Sequence, residues 1–325
     1  MKSPVEKIAT GIYRITLPMP FRLEHVHIYA FIHGGRVSII DTGPNFPGTF
    51  AALKEILGEI GCSVEGIEHV LITHFHADHC GLAGGIKSSS GAGILIPDIE
   101  YRSANAFLEN EGRLEKVRSF CLENGMSGET VEVLMNAFRF LRTATIPFTA
   151  DKFLANGQPL RIGDWSFDVI STPGHTRGHV CFFCRENRIL FSGDHVLPHI
   201  TPNLSPDLLA PDFRPLKSFL DSLERLRHVP VDIVCPAHGG FFTDLGARLD
   251  ETIRHHRERK ELILEALKIH PKTACEISQD IFGSGLDAFN QLLALNEVYV
   301  HLVELVYESN ADRDTEGNRY IFSLK

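Results

Sequence analysis

Between positions 74 and 79 the chain reads His74-Phe75-His76-Ala77-Asp78-His79, three imidazoles and a carboxylate within six residues. Imidazole nitrogen and carboxylate oxygen together suit a borderline cation such as Zn²⁺, and such mixed sites also accept Fe or Mn. A catalytic zinc usually keeps three protein ligands and one open position. Four neighbouring donors, with more His and Asp downstream, therefore point to two ions rather than one. The plain alternative is a His-rich surface loop, which predicts no partner donors elsewhere in the chain.

Partner donors do occur, and always in one kind of place. The apolar run Val70–Ile72 reads as a buried strand and delivers His74. Val37-Ser38-Ile39-Ile40 ends at Asp41, and Leu160–Ile170 reads as a hairpin followed by a break at Pro173-Gly174-His175. Ile189-Leu190-Phe191 runs into Asp194 and His195, and Val231–Cys235 runs into His238. Strands that each end in such a side chain bring those side chains to one edge of a sheet. Thr49 to Ile60 forms an amphipathic helix, with Phe50, Leu53, Ile56 and Leu57 on one face, ahead of the strand that carries His74. Helix, strand and donor loop in succession is an α/β arrangement with its chemistry at the carboxyl ends of strands.

The run His74-x-His76-x-Asp78-His79, followed in order by His175, Asp194 and His238, resembles the metallo-β-lactamase superfamily over residues 1–246. The resemblance implies an α+β fold, a four-layer αββα sandwich, and two divalent ions, Zn²⁺ first, with Fe or Mn open. It implies that His74, His76 and His175 hold one ion, that Asp78, His79 and His238 hold the other, and that Asp194 bridges them. Asp41 would support this scaffold without binding metal. A hydroxide shared by two ions needs no Ser, Cys or Lys nucleophile. Asp78 and Asp194 are then the catalytic carboxylates. His195 is a candidate proton donor to the leaving group, as is His199; for both, a supporting or surface position is the alternative. His179 reads as a strand residue and Cys80 as a packing residue. Cys181 and Cys184, three apart in a strand, read as core residues on opposite faces.

Composition narrows the function. The chain has 325 residues, 43% of them hydrophobic and 22% charged, an ordinary globular balance. Met1–Lys7 has no apolar signal core, no run is long enough to span a bilayer, and the seven cysteines are odd in number and irregular in spacing. These features predict a cytoplasmic protein with reduced thiols and no membrane partner. A formal charge of −9 argues against a nucleic-acid partner. The reading is a dinuclear metal-dependent hydrolase acting on a small thioester or other acyl ester, because the superfamily's hydroxyacylglutathione hydrolase branch has the same seven ligands. Its rivals are a phosphodiesterase or endoribonuclease using the same ions, and a non-catalytic metal-binding regulatory protein.

Two further regions stand apart. Residues 98–150 predict helices at Ile99–Asn124 and at Ser127–Leu141, either a lid over the site or an ordinary packed pair. Residues 247–325 predict helices at Asp250–His270, Thr273–Phe282 and Leu286–Glu308, a polar turn at Asn310–Asn318, and a strand at Tyr320–Phe322. This order resembles the winged-helix appendage of one branch of the superfamily. The segment 285–309 has no Lys or Arg and four acidic residues, so it reads as a packing or homodimerising module rather than a nucleic-acid reader. Two domains follow, 1–246 and 247–325.

Overall fold

The computed structural model describes residues 3–20 and 23–325, so Met1 and Lys2 of the N-terminal segment lie outside the described residues. A first sheet takes its seven strands in chain order: β1 (Val5–Ala9), β2 (Ile12–Pro18), β3 (His25–His33), β4 (Arg36–Ile40), β5 (Ile67–Leu71), β6 (Gly93–Pro97) and β7 (Lys152–Leu154). The first four pair antiparallel, and β4 to β7 run parallel. Parallel neighbours need crossovers. Helix α1 (Thr49–Glu59) supplies the first, α2 (Ala77–Cys80) and α3 (Ala83–Ser90) the second, and α4 (Asp98–Glu109), α5 (Glu111–Glu123) and α6 (Gly128–Arg142) the third.

The second sheet holds β8 (Pro159–Ile162), β9 (Trp165–Ser171), β10 (Val180–Cys184), β11 (Ile189–Gly193) and β12 (Ile233–Pro236), with α7 (Pro215–Leu226) crossing from β11 to its parallel neighbour β12. Every residue of β10 and β11 is buried, as the near-continuous apolar runs required. Phe31, Phe167, Phe182 and Phe191 fill the space between the sheets. Leu53, Ile56, Leu57 and Ile86 cover the outside of the first sheet; Leu216, Phe219, Leu223 and Leu249 cover the outside of the second. The layers are helix, sheet, sheet, helix, as expected. Cys181 lies in the outer core and Cys184 between the sheets, and all seven cysteines are free.

The C-terminal part consists of α8 (Leu245–Leu267), α9 (Ala274–Phe282), α10 (Ala288–Tyr307) and a hairpin of β13 (Ala311–Glu316) and β14 (Arg319–Leu324). Ile263, Leu267, Leu295, Leu302 and Phe322 form one core together with Leu114, Leu134 and Met135 of α5 and α6. The inserted helices therefore pack on the C-terminal elements. Leu245 and Leu249, at the start of α8, belong instead to the core outside the second sheet. Among the described residues, no helix is long and apolar enough to cross a membrane.

Two local readings change. The helix expected over Ile99–Asn124 is two helices, broken at Asn110, whose backbone is extended (φ −104°, ψ 101°) and whose carbonyl accepts from the Arg142 guanidinium at 3.0 Å. An amide group beside the chain stabilises such breaks, and apolar periodicity does not register them. The polar segment after Asn310 is a strand, with Ala311 to Glu316 paired to Leu324 to Arg319. Five of its six residues are exposed, so its side chains lack the apolar alternation that marks a strand.

Candidate metal centre

His74, His76 and His175 bring three ring nitrogens together. His76 Nδ1 lies 3.1 Å from His74 Nε2 and 3.0 Å from His175 Nε2. Nitrogens bound to one tetrahedral zinc at about 2.0–2.1 Å stand roughly 3.3 Å apart, so this spacing fits a shared ion. Asp78, His79 and His238 form a second group, with Asp78 Oδ2 at 3.6 Å from His79 Nε2 and 3.4 Å from His238 Nε2. Asp194 lies between the groups. Its Oδ2 is 3.5 Å from His175 Nε2, and its Oδ1 is 3.4 Å from both His79 Nε2 and His238 Nε2. One carboxylate thus turns an oxygen to each group.

Three of the remaining ring nitrogens are tied down by neighbouring segments. His79 Nδ1 donates to Asp41 Oδ2 at 2.8 Å, His175 Nδ1 to the Asn203 carbonyl at 2.8 Å, and His238 Nδ1 to the His25 carbonyl at 2.9 Å. A proton fixed on Nδ1 leaves the lone pair on Nε2, facing the cluster. Asp41 reaches His79 because the chain turns left-handed directly after β4 (φ 61°), and its carboxylate also accepts from Thr73 N at 2.9 Å. Gly193 has φ 49°, and a Cβ there would meet His179 Nε2 at 2.8 Å and Thr73 Oγ1 at 3.0 Å. Only glycine lets β11 approach closely enough to place Asp194.

The electrostatics ask for positive charge at the centre. Burial, then the neighbouring histidines, keeps His74 well below the usual range, and burial with His175 pushes His76 down to about 3. Both rings are neutral and have lone pairs to give. Burial works against charge on His79 too, yet Asp78, Asp194 and Asp41 hold it well above the usual range; likewise Asp194 and Asp78 raise His238 to about 9 against its burial. His79 Nε2, His238 Nε2 and Asp194 Oδ1 are buried and make no hydrogen bond among the described residues. Leaving such atoms unpaired costs about 1–3 kcal/mol each, more for charged groups. Divalent ions coordinated by these atoms remove that cost, so the residues fit the metals that the pattern implies.

Comparison with known proteins agrees. The family model described as the metallo-beta-lactamase superfamily matches residues 22–238. The chain belongs to the metallo-β-lactamase superfamily. A probable metallo-hydrolase of Bacillus subtilis is 28% identical over 321 residues, 96% of this chain and 97% of that protein. An atrochrysone carboxyl ACP thioesterase of Passalora fulva is 24% identical over 302 residues, 90% of this chain and 74% of that one. The crystal structure of a metallo-beta-lactamase family protein from Thermus thermophilus superposes with a TM-score of 0.87 at 28% identity, covering 98% of this chain and all of that one. The chain is thus a metal-dependent hydrolase of the superfamily, and its likeness to the Thermus protein extends beyond the matched region to the C-terminal helices.

Not every predicted residue joins this superfamily centre. His195 is fully buried against Phe219 of α7, ring centroids 4.8 Å apart, and neither of its nitrogens has a partner among the described residues. Burial, then His175 and Arg225, lowers it to about 3, so it carries no second proton at neutral pH. His199 lines a cleft of about 470 Å³ with Pro198, Phe241 and Arg248. His179 does more than fill a strand. Its Nε2 accepts from Asp194 N at 3.3 Å, and its Nδ1 lies 2.8 Å from Thr172 Oγ1. Cys80 is buried, and its thiol donates to the Phe75 carbonyl.

Glu100, Thr73 and Asn203 escaped the sequence reading. Glu100 is fully buried in the first turn of α4 and accepts from Phe75 N at 2.9 Å and Gly178 N at 2.6 Å. Burial pushes it up to about 7, against the Phe75 amide, the Thr176 hydroxyl and the Gly178 amide. Acids in the first turn of a helix are ordinary, and α4 has Asp98 there as well, so nothing in the sequence singled Glu100 out. Asn203 donates through its side chain to the Leu293 carbonyl of α10. Nothing in the sequence marks a residue that acts through its main-chain oxygen.

Proposed function

We propose that this chain is a dinuclear hydrolase of thioesters or other acyl esters, with His74, His76 and His175 holding one divalent ion, Asp78, His79 and His238 the second, and Asp194 shared between them. The observation that carries the two-ion reading is the placement of Asp194, with one oxygen against each group of donors. Bound there, a pair of divalent ions supplies an acidified water and a Lewis acid for the substrate carbonyl. The protein's part is orientation. Asp41, Asn203 and the His25 carbonyl fix three imidazoles, and Asp194 sets the spacing of the two groups. Neither Cys80, whose thiol is pushed far above its usual range first by burial, nor any other cysteine is needed as a nucleophile.

The acyl reading has three supports. One relative is named a carboxyl ACP thioesterase. The cleft beside Pro198 adjoins the Gly239 turn, next to His238, and offers Phe241 and Phe242 as apolar walls. The C-terminal helices offer little to nucleic acid: Leu292, Leu295, Val298, Leu302 and Leu305 of α10 are buried, and Arg259 and Lys260 of α8 face Glu297 and Glu308. We assign residues 247–325 a structural role in the winged-helix-like manner of the sequence pattern, with no part in binding RNA.

The test is hydrolysis of a small thioester by the metal-loaded protein, with Asp194→Ala as control. Turnover should fall by more than the about 100-fold that losing an outer partner of a metal ligand costs. A metal-loaded wild type that leaves thioesters and oxygen esters intact but cleaves a phosphodiester would refute the acyl reading.

A further inference from the structure

We infer that Glu100 is a positioning residue that sets the separation of His76 and His175, and so the geometry of the three-histidine half of the centre. This rests on the ligand reading above. The two histidines sit on different loops, one after β5 and one after β9, 99 positions apart in the chain. Each loop has a backbone N–H close in sequence to its histidine: Phe75 N and Gly178 N. Both amides point at one carboxylate, Oε2 of Glu100 accepting the first at 2.9 Å and Oε1 the second at 2.6 Å. A carboxylate is rigid and planar, so it fixes the distance between the two amides it joins.

Three further observations fit a clamp. Glu100 is fully buried and makes no ion pair among the described residues; the Arg113 guanidinium acts on it only through space, so no salt bridge holds it there. Gly178 has no room for a side chain, since a Cβ would meet Glu100 Oε1 at 2.7 Å and Ile99 Cβ at 3.0 Å. From the next helix, the same Arg113 guanidinium lies 5.2 Å from the centroid of the Phe75 ring, so the residue between His74 and His76 is held at its amide and at its ring. A buried carboxylate with no cation in contact is costly unless its hydrogen bonds serve as counterweight, and here they join two ligand loops. Residues 98–150 accordingly brace the centre from the side, whatever else they do.

The experiment uses the full chain loaded with Co²⁺, reading metal content after dialysis against a chelator and the visible absorption of the bound ions. Glu100→Gln keeps the volume but turns an NH₂ toward one of the two amide donors, so it can accept only one of them. We expect it to fold in the metal-free form with wild-type circular dichroism, to lose one equivalent about 10–100-fold more readily than wild type, and to lose the absorption of the three-nitrogen site first. Gly178→Ala, which pushes on the clamp from the other side, should show the same selective loss. Glu100→Gln with two equivalents at wild-type affinity and an unchanged spectrum overturns the clamp. Equal weakening of both equivalents also overturns it, since that is what a merely structural role gives. A wild-type chain that binds fewer than two equivalents overturns instead the ligand reading on which the clamp rests.

Discussion

Asp41→Asn tests the second half of the centre at one atom. Asp41 Oδ1 accepts from Thr73 N at 2.9 Å, and Oδ2 accepts from His79 Nδ1 at 2.8 Å. Asparagine keeps the size and tolerates the left-handed backbone found at this position (φ 61°), so the turn itself should survive. The amide oxygen will stay on the Thr73 N–H, because the reverse orientation sets two donors against each other. Its NH₂ then faces His79 Nδ1, which must accept instead of donate. The proton moves to Nε2, the atom 3.6 Å from Asp78 Oδ2 and 3.4 Å from Asp194 Oδ1, and that nitrogen has no lone pair left for an ion. Loss of such an outer partner costs about 10–100-fold in metal affinity, or about 1.4–2.8 kcal/mol. Titration of the metal-free variant with Zn²⁺ in a calorimeter should show one step at wild-type affinity and one weakened step. Two unchanged steps would mean that Asp41 does not set the His79 tautomer. Weakening confined to the three-histidine step would place Asp41's influence in the wrong half and sink the argument.

Two other outcomes follow from packing and burial. Met135 is buried in the core shared by α6 and the C-terminal helices; Met135→Ala should cost about 2–5 kcal/mol in chemical denaturation and leave the ranking of acyl substrates unchanged, whereas a changed ranking would favour the lid. His256 is buried, and burial holds it down to about 3, so it is neutral in the fold while an unfolded chain protonates it below about 6.5. Its contribution to stability is present above that value and is lost as pH falls toward 3. Between pH 6 and 4 the folding equilibrium of the metal-free wild type should weaken about tenfold more per pH unit than that of His256→Leu, and equal slopes would refute a neutral His256.

The convergence of these histidines and aspartates was legible because most of them lie just beyond an apolar strand, and strand ends on one edge of a sheet have few places to go. Asp41, His74, His175, Asp194 and His238 illustrate this: positions far apart in the chain converge because β4, β5, β9, β11 and β12 end together. The layering came from the family resemblance; the apolar face of α1 fits it, and α7, which also has one apolar face, was not read from the sequence. What could not be read was anything decided by contact between distant segments. Glu100 reads as a helix-start acid until Gly178 is beside it. Asn203 acts through a carbonyl, which every residue has. His195 was singled out because it adjoins Asp194; that its ring packs against Phe219 could not be read from the sequence. The strand β13 was hidden because its pairing is made by backbone alone.

Helix α8 has a consequence for how the molecule comes apart. Its first turns are packed outside the second sheet, through Leu245 and Leu249, and its last turns lie in the C-terminal core, through Ile263 and Leu267. The junction at 246/247 that composition suggests falls inside its first turn. A protease or a gene engineer cutting there would not release a self-sufficient hydrolase. The N-terminal fragment would lose Leu249, which helps α7 cover its outer sheet, and α5 and α6 would be left with Leu114, Leu134 and Met135 in water. A rod shared by two cores couples their melting, so heat or denaturant should open both in one cooperative step.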